Sequence, residues 1–128
     1  ANHHTYPLRS VCSDHFRYIR NVCPELNFTC QTDHNPTAQS HNLWVSWVGI
    51  AKSDPNIARK VQEYHQRPVE ELYDLRADPN EQRNLAGDPE YLQTLRKLRT
   101  ITDNWIRLSG DTLEIHGEPM QLLYPLEQ

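Results

Sequence analysis

The side chains of this 128-residue chain best suited to hold a metal or act as nucleophiles are seven histidines and three cysteines. The histidines are His3, His4, His15, His34, His41, His65 and His116, and no two stand four residues apart, the spacing that lets one helix offer a metal two imidazoles. Cys12, Cys23 and Cys30 lack the C-x-x-C spacing of zinc or thiol redox sites. They leave open a Cys23 to Cys30 bridge in an oxidising compartment or, equally, three free thiols. There is no G-x-S-x-G elbow and no H-E-x-x-H, and four glycines leave little room for a phosphate-cradling loop. The expectation is a chain without a catalytic constellation or metal site of its own.

Composition narrows the partners. The net charge is −4, and the 13 Lys and Arg are scattered rather than massed, which argues against a nucleic-acid partner. No apolar run approaches the ~20 residues that span a bilayer, and Ala1-Asn2-His3-His4 does not begin a signal peptide, so a soluble chain is expected, with any export signal upstream or absent. Hydrophobic residues make up 37% of the chain, and the mean hydropathy is −0.81. That is lean for a globule stabilised by its own apolar burial, and it hints at a missing neighbour. Asn27-Phe28-Thr29 matches the glycosylation acceptor pattern, which has meaning only in a eukaryotic secretory pathway.

The elements that must position these residues follow from periodicity and punctuation. Tyr6, Leu8, Val11 and Cys12, a Ser13-Asp14 turn, then Phe16, Tyr18 and Ile19 interleaved with Arg17 and Arg20 predict a β-hairpin over residues 6–21. Residues 22–40, polar and broken by Pro24 and Pro36, predict a long loop of the kind that is functional or lies against another body. From Ser40, a possible cap, Leu43, Trp44, Trp47, Val48 and Ala51 recur at helical spacing. Asp54-Pro55 reads as a cap with proline at the first helical position, opening a second helix that ends near His65 before Pro68.

Glu71–Leu75 then predicts a strand joining the hairpin. Asp78-Pro79-Asn80-Glu81 has the capping-box arrangement and predicts a single helical turn. Asp88-Pro89 opens the longest helix, whose stripe of Tyr91, Leu92, Leu95, Leu98, Ile101, Trp105 and Leu108 is expected to pack across the sheet, with Gly110 as its stop. Residues 111–128 have no period and predict an extended tail. The fold class expected is α+β: a small antiparallel sheet packed against a long C-terminal helix, with a helical insertion.

The run Arg67-Pro68-Val69-Glu70-Glu71-Leu72-Tyr73-Asp74-Leu75-Arg76-Ala77-Asp78-Pro79-Asn80-Glu81-Gln82-Arg83-Asn84-Leu85-Ala86, followed by Asp88-Pro89, is the most specific feature. It resembles the C-terminal signature of sulfatases of the alkaline-phosphatase-like superfamily: a strand ELYDL, a turn DPxExxNLA, then DP opening a long helix that ends near a Trp. Tyr6-Pro7-Leu8-Arg9-Ser10-Val11 and His15-Phe16-Arg17-Tyr18-Ile19-Arg20-Asn21 are similar to the hairpin strands of the same family. The resemblance covers about residues 5 to 110, with residues 1–110 taken as the subdomain, and within the family is strongest to the heparan N-sulfatase type (N-sulfoglucosamine sulfohydrolase) and its bacterial relatives. Cys12 departs from the pattern, since many relatives carry Arg there.

The resemblance implies a parent enzyme that hydrolyses sulfate esters or sulfamates, on sulfated sugars, with a formylglycine made within a C/S-x-P-x-R motif and a calcium ion beside it. Neither motif nor ligands occur here: Cys23 is followed directly by Pro24, and Leu26 stands where the motif needs Arg. It also implies an N-terminal catalytic domain as partner, possible homo-oligomerisation, and a secreted, periplasmic or lysosomal setting. On this reading Arg67 and His65 are the candidate substrate-binding residues, because they precede the ELYDL strand in a segment that approaches the pocket in relatives, and a guanidinium suits a sulfated or carboxylated sugar. His3 and His4 are weaker candidates. The plainer reading of Arg67 is a surface cation that caps, or that pairs with Glu70 or Glu71. Trp44 and Trp47 would stack on sugars if this were a free-standing carbohydrate- or sulfated-glycan-binding module, but their spacing on an apolar helix face fits packing better. An oligomerisation module is the third alternative.

Overall fold

The computed structural model describes residues 6–35 and 37–115. His3, His4 and His116, and the expected tail from residue 116 on, lie outside the described residues. The chain divides into two compact units, one built from Pro7–Cys23 and Pro68–Glu114, the other from Pro24–Arg67 with Tyr6 and Ile115.

The first unit is the expected sheet and helix. Strands β1 (Leu8–Cys12) and β2 (Phe16–Asn21) form the hairpin, and β3 (Glu70–Asp74) joins it in the antiparallel order β1-β2-β3. The register places Tyr18 between Val11 and Leu72. Directly paired residues share a face, so these three, with Phe16 two residues back, make one apolar patch. A 3-10 turn (Pro89–Tyr91) leads into helix α4 (Leu92–Ser109), whose Leu95 and Leu98 pack with Tyr18, Leu72 and Leu85 in a single buried cluster.

Charge pairs extend the same face. Both Glu70 oxygens accept from Arg99, at 2.7 Å each, and the Tyr18 hydroxyl donates to Glu70 at 2.5 Å. The Arg99 guanidinium thereby holds the Glu70 carboxyl below the usual carboxylate range, while burial above all pushes the Tyr18 phenol up. Arg20 pairs with Asp103 and Arg9 with Asp111, and the Arg9 guanidinium pulls the Asp111 carboxyl down to about 2. The opposite face carries the buried polar set of Asn21, Glu71 and Tyr73: the Asn21 amide donates to Glu71 at 2.7 Å, and the Tyr73 hydroxyl donates to the other Glu71 oxygen.

Two local expectations fail in this unit. No helical turn follows Asp78. Glu81 takes a left-handed φ of 54° and pairs with Arg17, while Asp78 accepts from the Arg83 amide at 2.8 Å. The segment instead runs on beside β3: the Leu72 amide donates to the Asn84 side chain, and the Leu85 amide donates to the Leu72 carbonyl. The α4 stripe is also buried only in part, with Leu92 at its start 39% exposed. Leu95 and Leu98 are enclosed, but Ile101, Trp105 and Leu108 are 42%, 55% and 76% exposed.

Gly110 ends α4 as expected, at a φ of 70°, and its amide donates to the Ile106 carbonyl. A Cβ there would meet no atom within 4 Å, so only the backbone conformation opposes a side chain. Gly110→Ala should therefore cost about 1–2 kcal/mol, the penalty of an L-residue in that region, measured as a shift of the denaturant midpoint. A change below a few tenths of a kcal/mol would show that the helix does not need this stop.

The second unit is the helical insertion: α1 (Gln31–His34), α2 (His41–Ala51) and α3 (Pro55–His65). Helix α1 interrupts the stretch expected to be loop. Asp33 makes it, because its carboxylate accepts from the Cys30 amide at 2.8 Å while the Asp33 amide returns to the Cys30 carbonyl, a reciprocal start without a capping hydroxyl. Ser40 does not cap α2: its backbone is already helical, and its side chain makes no cap bond. Asp54 does cap α3, accepting from the Asn56 and Ile57 amides with Pro55 at the first helical position, as read from the sequence.

Candidate functional site

The second unit brings the candidate residues to the end of α3. The chain leaves the helix at Gln66, where the backbone turns extended and the Gln66 amide makes the last helical bond to the Gln62 carbonyl at 2.8 Å. Pro68 disfavours a helical conformation at the residue before it, so His65 closes the helix and Arg67 stands beyond it.

His65 faces inward. It is 3% exposed, and its ring Nδ1 lies 2.8 Å from the Phe28 carbonyl, which can only accept, so Nδ1 carries the proton. The Phe28 amide returns the bond to the His65 carbonyl at 2.8 Å. The Asp33 carboxylate, also buried, stands 3.6 Å from the same nitrogen. His65 thus fastens the 27–33 segment to the helix end.

Arg67 is half-buried and lies over aromatic rings. Its guanidinium carbon is 5.0 Å from the Phe28 ring centre and 5.9 Å from that of Tyr64, and its Nε donates to the Tyr64 carbonyl at 3.2 Å. The bond to the Tyr64 carbonyl, in the last turn of α3, is the capping role that the sequence offers for Arg67.

The rings form a box. Tyr6 meets Phe28 edge-on at 5.4 Å, Phe28 meets Tyr64 edge-on at 5.2 Å, and Trp44 lies 5.1 Å from Tyr64 and 4.9 Å from His65. The Tyr64 hydroxyl is 2.9 Å from the Cys30 sulfur, and burial pushes its phenol well above the usual range, so it stays protonated. Trp44 is therefore a packing residue, as its spacing predicts. Trp47 is not packed in the same way: it is 51% exposed beside Leu43 at 66% and Ile50 at 51%, one stripe of α2.

The remaining chemistry-bearing residues stay apart. His15 lies against Phe16, and His41 Nδ1 approaches the Thr32 carbonyl at 3.0 Å. No disulfide joins Cys12, Cys23 and Cys30 to one another. Among the described residues there is no group of three or more His, Cys, Asp and Glu side chains that could hold a metal, and no helix long and apolar enough to cross a membrane. In the sheet unit, Leu8–Cys12 with Ile101, Thr102 and Trp105 line an open groove of about 400 Å³. Phe28, Asp33 and Tyr64 were not proposed as site residues from the sequence, and Cys30 was weighed there only as a thiol; the signal for Phe28 was an aromatic residue in an otherwise polar stretch.

No protein-family model matches the chain. Individual proteins do. It is 32% identical over 109 residues to an ulvan-active sulfatase of Formosa agariphila, covering 81% of this chain and 17% of that protein. It is 32% identical over 101 residues to N-sulphoglucosamine sulphohydrolase of Homo sapiens, covering 79% and 20%. Over 63 residues it is 38% identical to Delta 4,5-hexuronate-2-O-sulfatase of Bacteroides thetaiotaomicron, covering 47% and 13%. The chain spans a fifth or less of the length of these relatives.

Proposed function

We propose, from the premise that this chain is a homologue of sulfatases over about four-fifths of its length, that it is the C-terminal subdomain of such an enzyme, residues 1–110, packed on an N-terminal catalytic domain and completing one wall of a cleft for sulfated sugars. The carrying observation is the asymmetry of the matches, which take most of this chain and 20% or less of each relative. The exposed apolar residues support a covering partner: Leu43, Trp47 and Ile50 on α2, and Ile101, Trp105 and Leu108 on α4. Large apolar side chains grouped on one helix face mark interaction surfaces more often than chance exposure.

Within that cleft Arg67 is the side chain proposed to meet a sulfate, sulfamate or carboxylate, since a guanidinium presents paired N–H donors to such anions. His65, proposed with it, stands behind, holding the 27–30 segment through Phe28. The formylglycine and calcium of the family do not fit this chain. Its described residues offer no metal-binding group, and Cys23-Pro24 lacks the motif's spacing. Both would come from the catalytic domain, and no bond-making step falls to the residues present.

The test is an activity assay with two arms. The isolated chain should release no sulfate from p-nitrophenyl sulfate or N-sulfoglucosamine, whereas the full-length protein, with a C/S-x-P-x-R motif a few hundred residues upstream in frame, should hydrolyse one of them. Sulfate release by the purified 128-residue chain would overturn the proposal, as would an upstream sequence without that motif. A second reading, a self-associating module, is favoured by the α2 stripe alone. It predicts a dimer by light scattering that Trp47→Glu disperses, where the first reading predicts a monomer.

A further inference from the structure

We infer that Phe28 and Tyr64 are positioning residues that hold the Arg67 guanidinium in one orientation for an anionic group on a sulfated sugar, an assignment that rests on Arg67 being a substrate contact. An arginine side chain is long and loses much rotamer freedom when it grips a ligand. Here that freedom is already restricted. Its guanidinium carbon stands 5.0 Å from the Phe28 ring centre and 5.9 Å from that of Tyr64, and its Nε is tied to the Tyr64 carbonyl. The attraction of a cation to an aromatic ring acts on its charge, whereas a guanidinium holds an anion through its N–H groups.

The rings are themselves fixed. Phe28 is held by reciprocal bonds with His65, through backbone amide and imidazole, and by the edge of Tyr6. Tyr64 is held by its place in α3, by Trp44 and by the contact of its hydroxyl with Cys30. The polar 22–35 stretch thus contributes one aromatic face to the end of α3, which gives a physical reason for Phe28 in a segment otherwise poor in large apolar residues.

The experiment compares Arg67→Ala, Phe28→Leu and Phe28→Tyr in the full-length sulfatase, with N-sulfoglucosamine as the probe. Arg67→Ala should raise KM by at least about tenfold with kcat little changed, the loss of a charge-assisted contact. Phe28→Leu, which keeps an apolar side chain but removes the ring face, should raise KM by about two- to fivefold. Phe28→Tyr should restore the parent value. A raised KM in Arg67→Ala with Phe28→Leu at the parent value would overturn the positioning role and leave Arg67 as a contact. An unchanged KM in Arg67→Ala would overturn both. A measurement without substrate guards against a Phe28→Leu chain that fails to fold: in the unmodified 128-residue chain, the Arg67 side-chain proton signals should be shifted upfield by ring currents, and their appearance at random-coil positions would also overturn the inference.

Discussion

Leu98→Ala will destabilise the sheet-and-helix unit by about 2–5 kcal/mol, the usual cost of emptying a well-packed leucine site. Leu98 is 2% exposed and sits in one cluster with Tyr18, Leu72, Leu85 and Leu95. The walls around it have little freedom to collapse. Tyr18 is pinned by its bond to Glu70, Glu70 is gripped by both arms of Arg99, and Leu72 is fixed from its two sides by β2 and by the Asn84 side chain. The cavity should therefore stay open, placing the cost in the upper part of that range. Leu108→Ala, on the same helix but 76% exposed, should change stability by no more than about 0.5 kcal/mol. Urea unfolding followed by far-UV circular dichroism reads both variants; a loss below about 1 kcal/mol for Leu98→Ala would mean that this cluster is not what holds α4 to the sheet.

The contrast between those leucines marks what a sequence can and cannot disclose. Spacing identified Leu95, Leu98 and Leu108 alike as members of one apolar stripe, because period shows which residues share a face. Whether anything covers that face depends on the rest of the fold, and here the cover ends near Thr102. Local signals did better where the partner was local. Asp54 before Pro55, Asp88 before Pro89 and Gly110 after α4 all act within a few residues, and all take the predicted roles. The same reasoning failed at Asp78, where a partner distant in sequence, Arg17, pairs with Glu81, whose left-handed backbone leaves no helix to start. At the candidate site, Arg67 and His65 enter as candidates from their place before the ELYDL strand, and the fold sets His65 as the last residue of α3 with Arg67 just beyond it. Phe28 was not, since only the fold brings residue 28 against residue 67.

His65 offers the second large effect, and it separates two roles that a single imidazole can combine. His65→Ala should cost its unit about 2–4 kcal/mol, from an emptied buried site beside Trp44 and from a Phe28 carbonyl deprived of its side-chain donor. His65→Asn should recover part of that loss, because an asparagine amide can place an N–H near the position of the ring Nδ1 and donate to the same carbonyl. His65→Leu should not, since it fills space without a donor and leaves the carbonyl unsatisfied. The order Asn above Leu in denaturant midpoint would show that the hydrogen bond to Phe28 outweighs the fit of the ring, and equal midpoints for the two would show that packing alone explains the buried histidine. In full-length enzyme the same order, carried into KM for N-sulfoglucosamine, would follow from His65 acting through Phe28 on Arg67. An Asn variant as stable as the parent but with its KM raised as far as in Arg67→Ala would instead mean that the imidazole itself meets the substrate.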